Sequence, residues 1–351
     1  MPGAAAILWN ANNTYGFGSI DFALLRRAAS ITTVSRVMRE SESVRADTRD
    51  RVMAAAEELQ YTPSQLGRQL AERRHAANGI VFPDLSGPYY AEVVLGYEAV
   101  AAELRRSVLI LSTHGRPDAD SAVRDMAGRC DGLVILGRTV SDTVVEQLAA
   151  RGIKVVLVAR PPIGEVDSVN AENRASAVAL AEHLLAQGAR RITFVGDPES
   201  SPDVAARWAG IQQAVGVSTG STDVELRLVT VDELDEASGA AVATQALTDG
   251  DLPDAFACAN DELALGLLAR LRQAGVDVPG TVKVTGWDDV MAARYAGLTT
   301  VRQPMREIGA TAARLLDELI AGNRTEARHD VLPTELVIRD SSSIPHRKET
   351  P

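Results

Sequence analysis

Short apolar runs alternate with helical periods from Asn78 almost to the end of the chain, and this alternation is the strongest constraint on its fold. Gly79–Phe82, Val108–Ser112, Gly132–Leu136 and Lys154–Val158 read as strands, with helices expected over Tyr89–Arg105, Asp118–Gly128 and Asp142–Arg151 between them. A second series follows. Its strands are Arg191–Gly196, Val224–Val229, Ala255–Ala259 and Val282–Gly286, and its helices Asn173–Gln187, Val204–Val215, Glu236–Thr248 and Asp261–Ala274. A long helix, Met305–Ala321, and a strand-like stretch, Val331–Arg339, come last. Uniformly apolar strands separated by helices predict parallel sheets covered on both faces, and two such series predict two similar lobes: an α/β fold.

Composition narrows the function classes. The 351 residues are 46% hydrophobic and 24% charged, ordinary values for a globular protein with ample core. No apolar run approaches the roughly 20 residues that a bilayer-spanning helix needs. The opening MPGAAAILWNANN lacks the basic start and long apolar stretch of a secretory signal, so a cytoplasmic protein is expected. Cys130 and Cys258 lie in apolar, strand-like surroundings and predict reduced thiols. The five histidines never reach metal-ligand spacing, so neither a metal nor a cofactor is expected. No GxGxxG follows a strand, and neither a GxSxG elbow nor a GxxxxGK[ST] loop occurs, which argues against an enzyme.

The net charge of −11 is unevenly spread. Residues 1–75 hold 10 Arg and 8 acids, a net +2, whereas the remainder carries −13. That mildly basic segment contains Thr32–Leu70, TTVSRVMRESESVRADTRDRVMAAAEELQYTPSQLGRQL. Its spacing predicts a short helix over Thr32–Met38 with Val34, Val37 and Met38 on one face. A second helix, Asp47–Gln60, repeats apolar residues at Val52, Ala55, Ala56 and Leu59, and a third, Gln65–Ala71, follows Pro63. Two hydroxyls and a guanidinium left over on the first of these suit phosphates and base edges in a major groove.

The ordered motifs TTVSRV, then TR-RV--A---L-Y-P, then --R-L resemble the headpiece of the lactose-repressor (LacI/GalR) family of transcription regulators. The resemblance implies a helix-turn-helix homodimer on a pseudo-palindromic operator, with Thr32–Met38 as recognition helix and Gln65–Ala71 as hinge helix. It implies DNA contacts from Ser30, Thr32, Thr33, Ser35, Arg36 and Arg68, with Leu70 wedged into the minor groove. Gly67 weakens the hinge helix by roughly 0.5–1 kcal/mol relative to alanine, so this helix is expected to form only on DNA. The first helix, expected over Ser19–Ser30, departs from the family pattern: Arg27 falls on a core alanine and Ala28 on the turn glycine. Two readings follow, a working repressor or a relative that has lost DNA binding. A wrong start or frameshift over residues 1 to about 30 would also account for the departure.

For the remainder the resemblance implies a periplasmic-binding-protein-like core whose chain crosses between lobes three times, near Arg160–Pro162, Asp289–Ala292 and Ala321–Arg324. The expected organisation is an irregular tail at 1–18, a headpiece at 19–62, a hinge and linker at 63–77, a two-lobed core at 78–341 and a polar tail at 342–351. Lobe 1 then takes about 78–160 and 292–322, and lobe 2 about 161–291 and 323–341. The tail after residue 341 has no leucine heptad, which leaves a dimer as the expected assembly.

Ligands of open parallel sheets sit beyond the carboxyl ends of the strands. Those positions hold Pro83–Tyr90, Thr113-His114, Gly137-Arg138, Ala159-Arg160, Asp197, Asn260-Asp261 and Trp287-Asp288-Asp289. Such a set suits a small polyhydroxylated or planar molecule. By the resemblance, the effector would touch Ser86, the aromatic pair Tyr89 and Tyr90, Arg207, Leu234, Asn260 and Asp288. Asn260 or Asp261 has a second role open to it, as the cap of the helix that follows. Ala159 stands where many relatives carry Asp. Leu234 stands where some stack an aromatic ring, which places sugars and their derivatives ahead of purines as the effector.

Overall fold

The computed structural model describes residues 31–38, 43–58, 75–218, 224–324 and 326–343. The chain divides into two compact units, 1–76 and 77–351, each taken by itself below. In the first unit, α1 spans Ile31–Met38 and α2 spans Ala46–Glu58, and the two are in contact. Val34 and Val37 of α1 and Val52, Ala55 and Ala56 of α2 are buried, the faces that the helical spacing predicts, while Arg36 is exposed. The expected first helix Ser19–Ser30, the hinge helix Gln65–Ala71, and the residues Ser30, Gly67, Arg68, Leu70, Arg27 and Ala28 lie outside the described residues.

The second unit is built on two parallel sheets. The first contains β1 (Ala77–Phe82), β2 (Ser107–Ser112), β3 (Gly132–Leu136), β4 (Lys154–Val158), β5 (Asp167–Ala171) and β11 (His329–Leu332), in the order β11-β5-β4-β3-β1-β2. Alternate strand residues point to opposite faces. Ile80 and Phe82 pack with Val93 and Tyr97 of α3 (Pro88–Glu103) and with Ile308, Ala312 and Leu316 of α11 (Met305–Ala321). Val81 on the other face packs with Val123 and Met126 of α4 (Ala119–Ala127) and Val144 and Leu148 of α5 (Asp142–Ala150).

The second sheet runs β7-β6-β8-β9, from β6 (Arg191–Val195), β7 (Glu225–Val229), β8 (Ala255–Cys258) and β9 (Lys283–Thr285). Helices α6 (Arg174–Ala186) and α7 (Pro202–Ser218) pack together, as do α8 (Glu236–Asp249) and α9 (Asp261–Gln273). The second pair touches backbone to backbone. A Cβ on Gly266 of α9 would stand 1.9 Å from the carbonyl oxygen of Glu236, and one on Gly239 of α8 would stand 2.0 Å from that of Leu263. This close approach fixes the start of α9 and, with it, Asn260. Cys130 and Cys258 are buried and free.

The expected α/β architecture and its strand–helix alternation are present, but the lobe boundaries need correction. Asp167–Ala171 and His329–Leu332 both pair in the first sheet, so the chain leaves lobe 1 after Ala171 rather than near Arg160–Pro162. The second crossing falls at Gln303-Pro304 instead of Asp289–Ala292. It comes after a short helix α10 (Met291–Ala296) and a strand β10 (Thr300–Arg302) that pairs antiparallel with β12 (Glu335–Val337). The third falls at Pro333-Thr334 instead of Ala321–Arg324. The strand-like Val331–Arg339 is in fact two strands in two different sheets, divided at Pro333.

The physical reason is the same in each case. DSVNA and TVR carry too little apolar pattern to read as strands, and ion pairs to distant residues hold them in place. The Asp167 carboxylate is gripped by Arg324 and accepts from the Arg328 N–H at 2.9 Å. Asp289, its side chain fully buried, accepts from Arg302 at 2.7 Å and Arg339 at 2.5 Å, which ties β10 and the segment after β12 to the loop after β9.

Candidate functional site

A cavity of 610 Å³ opens between the two lobes, at the carboxyl ends of the strands. Lobe 1 contributes the loop after β1 (Pro83, Asp84, Ser86, Gly87), the start of α3 (Tyr89, Tyr90), His114 after β2, Gly137 and Arg138 after β3, and Ala159 after β4. Lobe 2 contributes Ser200–Val204 and Arg207, the stretch Asp232–Asp235, and Asn260, Glu262 and Asp288, and Gln303 stands at the second crossing. The cavity thus brings together all seven residues expected to face an effector: Ser86, Tyr89, Tyr90, Arg207, Leu234, Asn260 and Asp288. Other positions at strand ends do different work. Arg160 is buried and turned away, donating to the carbonyls of Gly137 and Val140 at 3.2 and 2.9 Å and pairing with Asp142.

Arg207 is the most tightly held group. Nε donates to Asn173 Oδ1 at 2.8 Å and Nη1 to the Ala259 carbonyl at 2.7 Å, while Nη2 stands 4.0 Å from Asp203, one helical turn earlier. Its guanidinium also lies over the Trp287 ring. The fork is therefore set before any ligand arrives, which lowers the entropic cost of using it.

Asp288, 4% exposed, sits at φ 117°, a left-handed conformation that L residues seldom adopt. Two backbone bonds clamp it there: its N–H donates to the Val301 carbonyl at 2.8 Å, and its own carbonyl accepts from the Gln303 N–H at 3.3 Å. The Gln303 side-chain amide donates to Asp288 Oδ1 at 2.6 Å. Burial pushes the Asp288 carboxyl up, and Arg207 and the Gln303 bond pull it partly back. The neighbouring Asp203 is likewise raised by burial and held down by Arg207. Across the cavity, Asp84 accepts from the Ser86 hydroxyl at 2.9 Å, which keeps its carboxyl below the usual range and fixes the loop. Tyr89 and Tyr90 meet edge to face, with ring centroids 5.3 Å apart.

Asn260 does cap α9. Its Oδ1 accepts from the Leu263 N–H at 3.0 Å, and its Nδ2 donates to the Leu234 carbonyl and to Glu262, both at 2.8 Å. Both amide hydrogens are committed, so its service to the cavity is to position Leu234 and Glu262. Asp261 is buried beneath, accepting from Thr300 at 2.7 Å and the Val290 N–H at 2.9 Å. Sequence reasoning passed over Asp203, Glu262 and Gln303. The four-residue spacing from Asp203 to Arg207 was a usable signal; Gln303 had none, because it ends a strand that the pattern does not reveal.

Two parallel α/β lobes closing on a polar cavity define a two-lobed small-molecule receptor, and here a unit containing two packed helices precedes it. Residues 181–342 match the periplasmic binding protein-like domain, and residues 27–64 match the model for bacterial regulatory proteins of the lacI family. The chain is 32% identical over 321 residues to the HTH-type transcriptional regulator GalR of Escherichia coli, covering 90% of this chain and 93% of GalR. It is 25% identical over 318 residues to catabolite control protein A of Staphylococcus epidermidis, covering 89% and 95%. Among solved structures, the lac repressor dimer bound to operator and the anti-inducer ONPF superposes with a TM-score of 0.82 at 26% identity, covering 93% of this chain and 100% of that one. A complex of the regulator CelR with cellobiose gives 0.68 at 27% identity, covering 91% and 98%. The chain belongs to the lacI family of bacterial regulatory proteins. Among the described residues no helix is long and apolar enough to cross a membrane, and no group of acids, histidines and cysteines is arranged to hold a metal.

Proposed function

We propose that this protein is a cytoplasmic, homodimeric transcriptional repressor that binds a pseudo-palindromic operator and changes its DNA affinity when a sugar or sugar derivative fills the cavity. It acts by binding rather than by catalysis. The observation that carries this reading is the convergence of Ser86, Tyr89, Tyr90, Arg207, Leu234, Asn260 and Asp288 on one cavity between lobes, in a chain that also carries a lacI-family headpiece. Tyr89 and Tyr90 belong to lobe 1 and Arg207 and Asp288 to lobe 2, so a ligand held by both sets favours one lobe arrangement over another. On the DNA side the reading assigns contacts to Ser30, Thr32, Thr33, Ser35, Arg36 and Arg68, with Leu70 in the minor groove. The lobe movement is transmitted through the hinge segment 63–77.

The test is a fluorescence-anisotropy titration of the full-length protein against the intergenic DNA upstream of its own gene, at two salt concentrations. Saturable binding that exceeds scrambled DNA and weakens steeply with salt is expected. Equal binding to scrambled DNA by a folded dimer would overturn the operator assignment and favour the second reading, a sugar-binding relative that no longer recognises DNA. Ligands are then sorted by their effect on the complex: those that release DNA are inducers and those that tighten it are co-repressors.

A further inference from the structure

The cavity wall carries more carboxyl groups than it has cations to pair with them. Asp288 is buried, and Asp203 and Glu262 are half-buried beside it. Arg207 is the buried cation that faces them; it is already engaged by Asn173 and Ala259 and approaches Asp203 only to 4.0 Å. Asp288 and Glu262 each receive a neutral amide, from Gln303 and Asn260, and neither has an ion pair among the described residues. Buried carboxylates are ordinarily paired with cations, because an amide returns only part of the lost hydration.

Two further observations point to what is missing. Gln303, 4% exposed and on the cavity wall, commits its amide nitrogen to Asp288, and its Oε1 is buried without a partner. The site therefore offers a ring of acceptors and asks for a donor with several hydrogens. Glu262 reaches from lobe 2 to the lobe 1 loop, where its Oε1 would stand 2.7 Å from a Cβ placed on Gly87. It meets the loop that leads directly into Tyr89 and Tyr90, which line the same cavity, and aromatic rings attract cations. The Tyr90 phenol is held neutral by burial and by the carboxylates of Asp288, Glu262, Asp84 and Asp203, which places all four within electrostatic reach of one point.

We propose that the effector of this cavity is a protonated amine on a hydroxylated scaffold, an amino sugar or aminopolyol, with its ammonium group seated among Asp288, Glu262 and the Gln303 carbonyl. The proposal rests on the reading of this cavity as the effector site. A neutral sugar satisfies Asp288 with two hydroxyls and leaves Glu262 protonated, whereas an ammonium group lets Glu262 release its proton to solvent and pairs with the carboxylate. A phosphorylated or acidic sugar would set its anion against Asp288, Asp203 and Glu262, with only Arg207 and the lobe 1 Arg138 on the wall to receive it.

The experiment uses the full-length protein and matched probes at one ionic strength: glucosamine, galactosamine and mannosamine, each beside its parent hexose and its N-acetyl form, with glucose 6-phosphate and cyclohexylamine as controls. Thermal shift ranks the probes, calorimetry measures the affinities of those that bind, and operator release is followed by anisotropy. At least one free hexosamine is expected to bind tenfold or more tightly than its parent and its N-acetyl form. Glu262→Gln and Asp288→Asn are each expected to erase most of that ratio. A parent or N-acetyl sugar that binds as tightly as its amine, or stabilisation by glucose 6-phosphate, overturns the charge assignment and leaves the sugar-effector reading standing. Binding by cyclohexylamine but by no hydroxylated probe upholds the charge and overturns the sugar reading. Absence of binding by every hexosamine overturns the proposal.

Discussion

The guanidinium of Arg207 lies over the indole of Trp287, its Cζ 4.6 Å from the ring centroid. Trp287 is 1% exposed, so the stacking partner is itself fixed in the lobe 2 core, and the arginine is held by a face as well as by its edges.

Loss of that arginine should cost stability as well as ligand response. Arg207→Ala leaves Asp203 half-buried without its cation, and breaking such a pair costs about 3 kcal/mol. Arg207→Lys keeps the charge but forfeits the stacking and one fork bond, for about 2 kcal/mol. Urea unfolding of both variants measures this, and a loss below about 0.5 kcal/mol for the alanine variant would mean that the arginine is not a structural part of the wall.

Glu262 gives the unliganded protein a pH dependence. Burial, with Asp288 and Glu236 nearby, pushes its carboxyl up to about 8. Between its ordinary value near 4.5 and about 8, the folded chain retains a proton that the unfolded chain has released, so this group's contribution to stability falls as pH rises through that window. Below the window both states are protonated and above it both are ionised. The melting temperature of the wild type should therefore fall relative to Glu262→Gln between pH 5 and 8, in the terms of that window, and a constant difference would show the carboxyl to be ordinary.

Gly266→Ala puts a methyl group 1.9 Å from the Glu236 carbonyl oxygen, a backbone atom that cannot turn aside. Separating α8 from α9 should cost about 1–3 kcal/mol. Because α9 begins at Asp261, directly after its cap Asn260, the variant should also shift Glu262 and weaken ligand binding. Calorimetric unfolding together with a ligand titration reads both effects; an unchanged melting temperature would mean that the helices are not closely packed there.

Arg36 is exposed on α1 between the buried Val34 and Val37. Arg36→Ala should leave the far-ultraviolet circular dichroism spectrum unchanged and weaken operator binding by about 1–3 kcal/mol, the range for a base-reading arginine. If scrambled DNA loses affinity to the same extent, the arginine contacts phosphate rather than bases.

How much of this was legible in the sequence follows from where each element gets its stability. KVVLV announces itself, because a strand covered on both faces must be apolar throughout, and Lys154–Val158 is found where the pattern puts it. Met305–Ala321 is equally plain from its helical spacing. Asp167–Ala171 was invisible, because DSVNA carries little apolar pattern beside its neighbour β4, and its outer partner β11 and its anchor Arg324 lie more than 150 residues further on. The cavity residues at strand ends were readable from topology alone. Glu262 was not singled out: next to Asn260 and Asp261 it looks like one more acid in the first turn of a helix, and only the folded loop at Gly87 shows what it faces.

The last two strands enter different sheets: His329–Leu332 completes the edge of the first lobe, and Glu335–Val337 pairs with Thr300–Arg302 on the second. Neither lobe can be finished while its closing strand is still to be translated, so the folding of this core waits until the chain has been made past Val337. Until then the first sheet has β5 unpaired along one side, and β10 on the second lobe waits for β12. Premature termination after the long helix Met305–Ala321 would damage both halves of the receptor together rather than release one intact half.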